Sequence, residues 1–174
     1  MSASLKHYGL VWMALGLLLG GVAAALWPAT PLHAVATDRT DNFAIATGPL
    51  DEDTEAVYFL DFVTGELKGT ALSKVIRKFF ASFRANVIYD MGIDAAQNPK
   101  FMMVTGQSIF RNNPGQTQAG YSVVYVAELT SGKVAAYAAP WSHALANAGR
   151  PINRPFVLLD VMQFRIPTFE GGPQ

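Results

Sequence analysis

The chain has 174 residues, 51% of them hydrophobic, and its 13 basic and 13 acidic side chains cancel. That length is enough for one domain with a real core, and no basic stripe is present, so nucleic acid is not expected as a partner. The absence of cysteine excludes disulfides, thiolate catalysis, zinc–thiolate sites and iron–sulfur clusters.

Part of the hydrophobic excess sits in one uncharged block, Gly9 to Trp27 (GLVWMALGLLLGGVAAALW). As a helix this run would be about 28 Å long, the thickness of a bilayer's hydrocarbon core, so it predicts a single transmembrane helix. Lys6 and His7 precede it, and the next basic residue is Arg39. That asymmetry predicts a cytoplasmic N-terminus, with everything after Trp27 outside. Trp12 and Trp27 fall near the two ends, where indole rings favour the interface. The Ala34-Val35-Ala36 pattern offers signal peptidase a site before Thr37. The expected location is therefore the cell membrane as a single-pass anchor, or the periplasm or medium if the chain is cut after Ala36. Gly16 and Gly20 form G-x-x-x-G, a helix-packing spacing that small-residue segments also show by chance.

The domain expectations follow from these shifts in composition. Residues 1–36 are an anchor or signal segment, 37–41 a linker, 42–169 an exported β domain and 170–174 a loose tail. Short β-rich runs separated by turn residues begin at Phe43 to Gly48. Ala56 to Val63, Glu66 to Leu72, Phe101 to Gly106, Tyr121 to Leu129, Lys133 to Ala139 and Phe156 to Phe164 continue them. Residues 74–86 (KVIRKFFASFRAN) fit an amphipathic helix or a strand such as Lys78 to Ile88, and the repeat below favours strand. Leu145 to Arg154 reads as loop.

Two stretches repeat. Val57-Tyr58-Phe59-Leu60-Asp61-Phe62-Val63-Thr64-Gly65-Glu66-Leu67 aligns without a gap on Val124-Tyr125-Val126-Ala127-Glu128-Leu129-Thr130-Ser131-Gly132-Lys133-Val134. Upstream, Ala46-Thr47-Gly48 is echoed by Val104-Thr105-Gly106. The copies cover roughly residues 42–97 and 98–169, and the extra length of the second falls in the polar loop Ile109 to Gly120. In each, an acidic residue (Asp61 or Glu128) is placed to accept from the backbone of the turn that follows. A Thr-Gly or Ser-Gly pair then turns the chain, with glycine supplying a positive φ.

The device Val-Tyr-x-x-Asp-x-x-Thr-Gly-x-Leu resembles the blades of quinoprotein-like β-propellers, over about eleven residues in each of two copies. The resemblance implies a duplicated antiparallel β-meander, as two propeller-like blades or a small sandwich. It carries over no cofactor and no catalytic residue, because the tryptophan-docking motifs of the quinoprotein enzymes are absent and Trp141 lies in one copy only. Two blades do not close a propeller, so the open edges predict a second copy or a protein partner.

Candidate chemistry is sparse. His143 is the one histidine of the β domain and follows Trp141-Ser142 with no nucleophile motif; a surface or packing role is expected. Ser142 and Asp160 could complete a triad with it, yet no G-x-S-x-G elbow is present. Asp51, Glu52, Asp53 and Glu55 lack the glycine and the spacing of a calcium loop. Phe79, Phe80, Phe83, Tyr89 and Phe101 could line a cleft, but core packing is the commoner use of such residues. No catalytic, cofactor-binding or metal-ligating residue is assigned, and no cofactor is expected. The functional expectation is a membrane-anchored, extracytoplasmic, non-catalytic structural or interaction module of the cell envelope. The alternatives are an accessory subunit of a larger membrane complex, electron-transfer complexes included, and a periplasmic small-ligand binder or enzyme.

Overall fold

The computed structural model describes residues 12–21, 37–110 and 118–165. The chain divides into two compact units, residues 1–33 and 34–174. In the first unit, residues 12–21 form a helix, α1, with Trp12, Leu17 and Leu18 exposed. Ten helical residues rise about 15 Å, half of a hydrocarbon core. Among the described residues no helix is long and apolar enough to cross a membrane. This corrects the transmembrane helix predicted over Gly9 to Trp27: the described helix covers only the middle of that block, and its remainder lies outside the described residues.

The second unit is mainly β and contains two sheets. The first is a meander of β1 (Thr37–Arg39), β2 (Phe43–Pro49), β3 (Glu55–Asp61), β4 (Glu66–Ala71) and β5 (Ala81–Asn86), all antiparallel. The second has β6 (Phe101–Gln107), β7 (Ala119–Glu128) and β8 (Lys133–Pro140) in sequence, with β10 (Val157–Gln163) beside β8. Between β8 and β10 the chain makes a short helix, α3 (His143–Asn147), and then β9 (Ile152–Pro155), which joins the first sheet parallel to β5. A one-turn helix, α2 (Val87–Asp90), follows β5 directly.

Several boundaries differ from the sequence reading. The expected linker 37–41 contains β1, because Thr37–Arg39 pairs with Ala44–Ala46. In the ambiguous stretch 74–86, only Ala81–Asn86 is strand. Ser73 holds the preceding turn, its Oγ accepting from the backbone N–H of Val75 and Ile76 at 3.2 and 3.3 Å. Asn86 then caps α2, its side chain accepting from the Tyr89 N–H at 3.0 Å. The loop expected at 145–154 is divided between α3 and β9, and the tail 170–174 lies outside the described residues.

The repeat is real in the backbone ladders. Leu60 pairs with Leu67 in the first copy, and the aligned Ala127 pairs with Val134 in the second. Likewise Phe43 pairs with Asp61, and the equivalent Phe101 with Glu128. The series β2-β3-β4-β5 thus corresponds to β6-β7-β8-β10. The faces, however, are opposite. Tyr58 is fully buried, while its counterpart Tyr125 is 39% exposed; Phe43 is 38% exposed, while Phe101 is fully buried. Successive strand residues point to opposite faces, so one ladder can serve either way round depending on which face carries the larger apolar groups.

The two sheets share one core. Tyr58, Leu60, Leu67 and Phe83 from the first sheet meet Phe101, Val124, Val126 and Tyr137 from the second in a single buried cluster. Phe62 packs on Phe101 at 6.1 Å between ring centres. Phe156, between β9 and β10, contacts Tyr58 at 6.0 Å, Phe83 at 5.7 Å and Tyr137 at 6.3 Å. The Tyr58 hydroxyl and Ser122 Oγ hydrogen-bond at 2.7 Å across the layer, which satisfies both groups inside an apolar core.

Candidate functional site

Asp51 sits in the turn after β2, where Leu50 N–H donates to the Thr54 carbonyl at 2.8 Å. Its Oδ1 accepts from the Asp53 N–H at 2.9 Å, and its Oδ2 accepts from Trp141 Nε1 at 2.9 Å. Trp141 is buried at the end of β8 and needs an acceptor for its indole N–H; Asp51 supplies one from the other sheet. Ser142 then starts α3 as its N-cap, which brings His143 Nδ1 to 3.4 Å from Asp51 Oδ2. Burial works against the Asp51 charge. The hydrogen bonds from Asp53, Trp141 and Thr54 outweigh it and hold the carboxyl below the usual carboxylate range.

Asp51, Asp53 and His143 border a cleft of about 280 Å³, lined also by Thr54, Ser73, Phe80 and Tyr121. The cleft has a carboxylate–imidazole pair, Asp51 and His143. The Ser73 hydroxyl accepts from its own turn, and Ser142 Oγ accepts from the Leu145 N–H at 3.5 Å. His143 pairs with Asp51, whereas Asp160 lies on β10 and accepts from the Val161 N–H at 2.8 Å. The Ser142–His143–Asp160 triad is therefore not assembled. The acidic run is likewise dispersed. Asp51 serves the turn and Trp141, and Asp53 pairs with Lys74 at 3.1 Å. Among the described residues no group of three or more His, Asp or Glu side chains could hold a metal ion.

The two repeat acids do what their positions suggest. Asp61 Oδ1 accepts from the Val63 and Thr64 N–H groups at 2.8 and 3.2 Å. Glu128 accepts from Thr130 at 2.9 Å, Ser131 at 2.6 Å and Lys100 at 3.1 Å. Glu128 is buried, which alone would raise its pKa; the Ser131, Thr130 and Lys100 donors instead lower it to about 2. Gly65 and Gly132 close both turns with φ of 69° and 72°. Both acids are thus turn builders.

The five aromatics weighed as a cleft do not gather. Phe80 packs edge-on to Trp141, Phe83 on Phe156 and Phe101 on Phe62, while Phe79 and Tyr89 are exposed. Around Gly16 and Gly20 nothing lies within 4 Å of where a side chain would begin.

The more unusual surface is the outer face of the second sheet. One row across it reads Met102, Ala127, Val134, Met162, and the next Val104, Tyr125, Ala136, Asp160. Met102 is 45%, Val104 50% and Met162 55% exposed. Asp160 is the one charge in these rows. The outer face of the first sheet is mixed. Phe43 and Phe59 stack at 5.1 Å beside Ile45, while Lys68 and Arg84 occupy the β4 and β5 side. A one-sided sheet alternates apolar and polar residues, whereas β6 and β7 are apolar on both faces, as in sheets covered twice. That signal lies in the sequence itself, in Phe101-Met102-Met103-Val104 and Val123-Val124-Tyr125-Val126.

No protein-family model, curated protein or solved structure matches the chain.

Proposed function

We propose that residues 37–165 are a non-catalytic protein-interaction module, exported from the cytoplasm on the apolar segment Gly9 to Trp27. The observation that carries the interaction reading is the exposed apolar outer face of the second sheet. A contiguous apolar surface rimmed by polar residues is what a protein-binding face looks like, and leaving it in water has a cost. Asp51, Asp61 and Glu128 are engaged in turns and in the Asp51–Trp141 link, which supports a structural use for them. Export with cleavage after Ala36 is compatible with the fold, since β1 begins at Thr37 and would be left whole.

The test is site-specific photocrosslinking in the native host, with a photoreactive amino acid in place of Val104, followed by mass spectrometry. A discrete protein adduct at Val104, absent from a probe at the exposed turn residue Glu52, is the expected result. Absence of any adduct at Val104 overturns the reading. In the same sample, the mature chain is expected to begin at Thr37, and an intact N-terminus in the exported pool contradicts cleavage.

A further inference from the structure

We propose that the protein which covers this face is a second copy of the same chain, docked head to tail, the outer face of the first sheet of one copy on the outer face of the second sheet of the next. The proposal rests on the interaction reading above and names its partner. It follows from the inverted faces of the repeat. Within one chain, the inner face of the first sheet (Tyr58, Leu60, Leu67) lies on the inner face of the second (Phe101, Val124, Val126). By the ladder equivalence, these are opposite faces of one repeated unit. Units related by rotation without a flip meet in this way, and such a contact does not use itself up: each unit still presents one face of either kind.

The two faces left over are the missing counterparts. The outer face of the second sheet corresponds to the buried face of the first: Tyr125 to Tyr58, Ala127 to Leu60, Val134 to Leu67. The outer face of the first corresponds to the buried face of the second: Phe43 to Phe101, Ile45 to Met103, Val57 to Val124. A second chain stacked on the first would therefore continue the interface already present between the sheets. Charge agrees with this direction. Asp160, the carboxylate in the outer rows of the second sheet, stands on its fourth strand, and Arg84 stands on the corresponding strand β5 of the first. Head-to-tail contacts close into rings or run on as filaments. With two units per chain and about four to eight blades in closed β rings of this type, a closed assembly would hold about two to four copies.

The experiment uses the full chain, native mass spectrometry and two variants, one on each face: Val104→Lys and Ile45→Lys. The wild type is expected to assemble at about micromolar concentration, in the range of ordinary specific association. Each variant alone is expected to be monomeric, since each has lost one of the two faces. An equimolar mixture is expected to give a heterodimer and nothing larger, because one intact pair of faces remains. Met162→Lys should behave as Val104→Lys does, and circular dichroism of each variant establishes that it is folded. A monomeric wild type overturns the proposal, and so does an Ile45→Lys variant that still self-associates, which would indicate like-to-like pairing. A monomeric wild type that nevertheless crosslinks through Val104 to a different protein rejects self-assembly and leaves the interaction reading standing. A monomer with no adduct rejects both.

Discussion

Asp51 shows how a single carboxylate can be mistaken for chemistry. It sits beside the one histidine of the β unit, in a cleft, which is the arrangement of a catalytic pair; yet its oxygens are occupied by a turn amide and a buried indole. Replacing it with alanine leaves the Trp141 N–H buried without an acceptor, at a cost of about 1–3 kcal/mol. Urea unfolding of Asp51→Ala should therefore show a lower midpoint at unchanged slope. Glu128 makes a second residue-scale prediction. Its pKa is lowered to about 2 by the turn donors, against about 4.3 for an unperturbed glutamate. Between these values the unfolded chain binds the proton and the folded chain does not, so stability rises with pH across that window. The stabilisation is complete above the unfolded pKa and is lost as pH falls through about 2. Glu128→Gln should flatten this acid limb of a pH–stability curve, which guanidinium titrations at successive pH values would show.

At the scale of elements, the hairpins were the most legible part of the chain. The Asp-x-x-Thr-Gly and Glu-x-x-Ser-Gly signals act through local hydrogen bonds and a positive φ, so they need no tertiary context to be read. Both glycines also face a steric limit. A side chain at Gly132 would begin 2.6 Å from the Arg165 backbone oxygen, and one at Gly65 would begin 2.5 Å from the Ile88 side chain. Gly132→Ala should cost more than Gly65→Ala, because the Arg165 backbone yields less than the Ile88 side chain, and each adds about 1–2 kcal/mol of left-handed backbone strain. Thermal midpoints of the two variants would give the order. By contrast, β9, α2 and α3 were not legible. Ile152-Asn153-Arg154-Pro155 has no strand pattern of its own and is extended because β5 offers it an edge, an instruction that resides elsewhere in the chain. The opposite burial of Tyr58 and Tyr125 was hidden for a related reason. An alignment compares residue types, and tyrosine serves a buried and a half-exposed face equally well.

For the molecule as a whole, the seam between the sheets determines cooperativity. Phe156 touches aromatic rings of both sheets, so Phe156→Ala should remove packing on both sides and cost about 3–5 kcal/mol. Calorimetry is expected to show one transition at a lower temperature, since the sheets share one core; two separate transitions would mean that they unfold independently. The candidate site was only partly legible at this scale. His143 and Asp51 lie far apart in the sequence, and only the packing of the β2 turn against the end of β8 brings them together. The apolar outer face of the second sheet was legible in principle, because β6 and β7 are apolar on both sides.

The strand β9 has a consequence for how the protein is made. It belongs by sequence to the second half of the chain but completes the first sheet, with Ile152 N–H donating to the Phe80 carbonyl at 3.0 Å and Phe156 N–H to that of Arg84 at 3.0 Å. The first sheet emerges early in synthesis and must wait, with the β5 edge open, until nearly the whole chain has appeared. Such distant parallel pairing is slow to form, and an open edge recruits stray strands meanwhile. Until that edge closes, holding factors that keep the early strands apart would act in the folding pathway's favour.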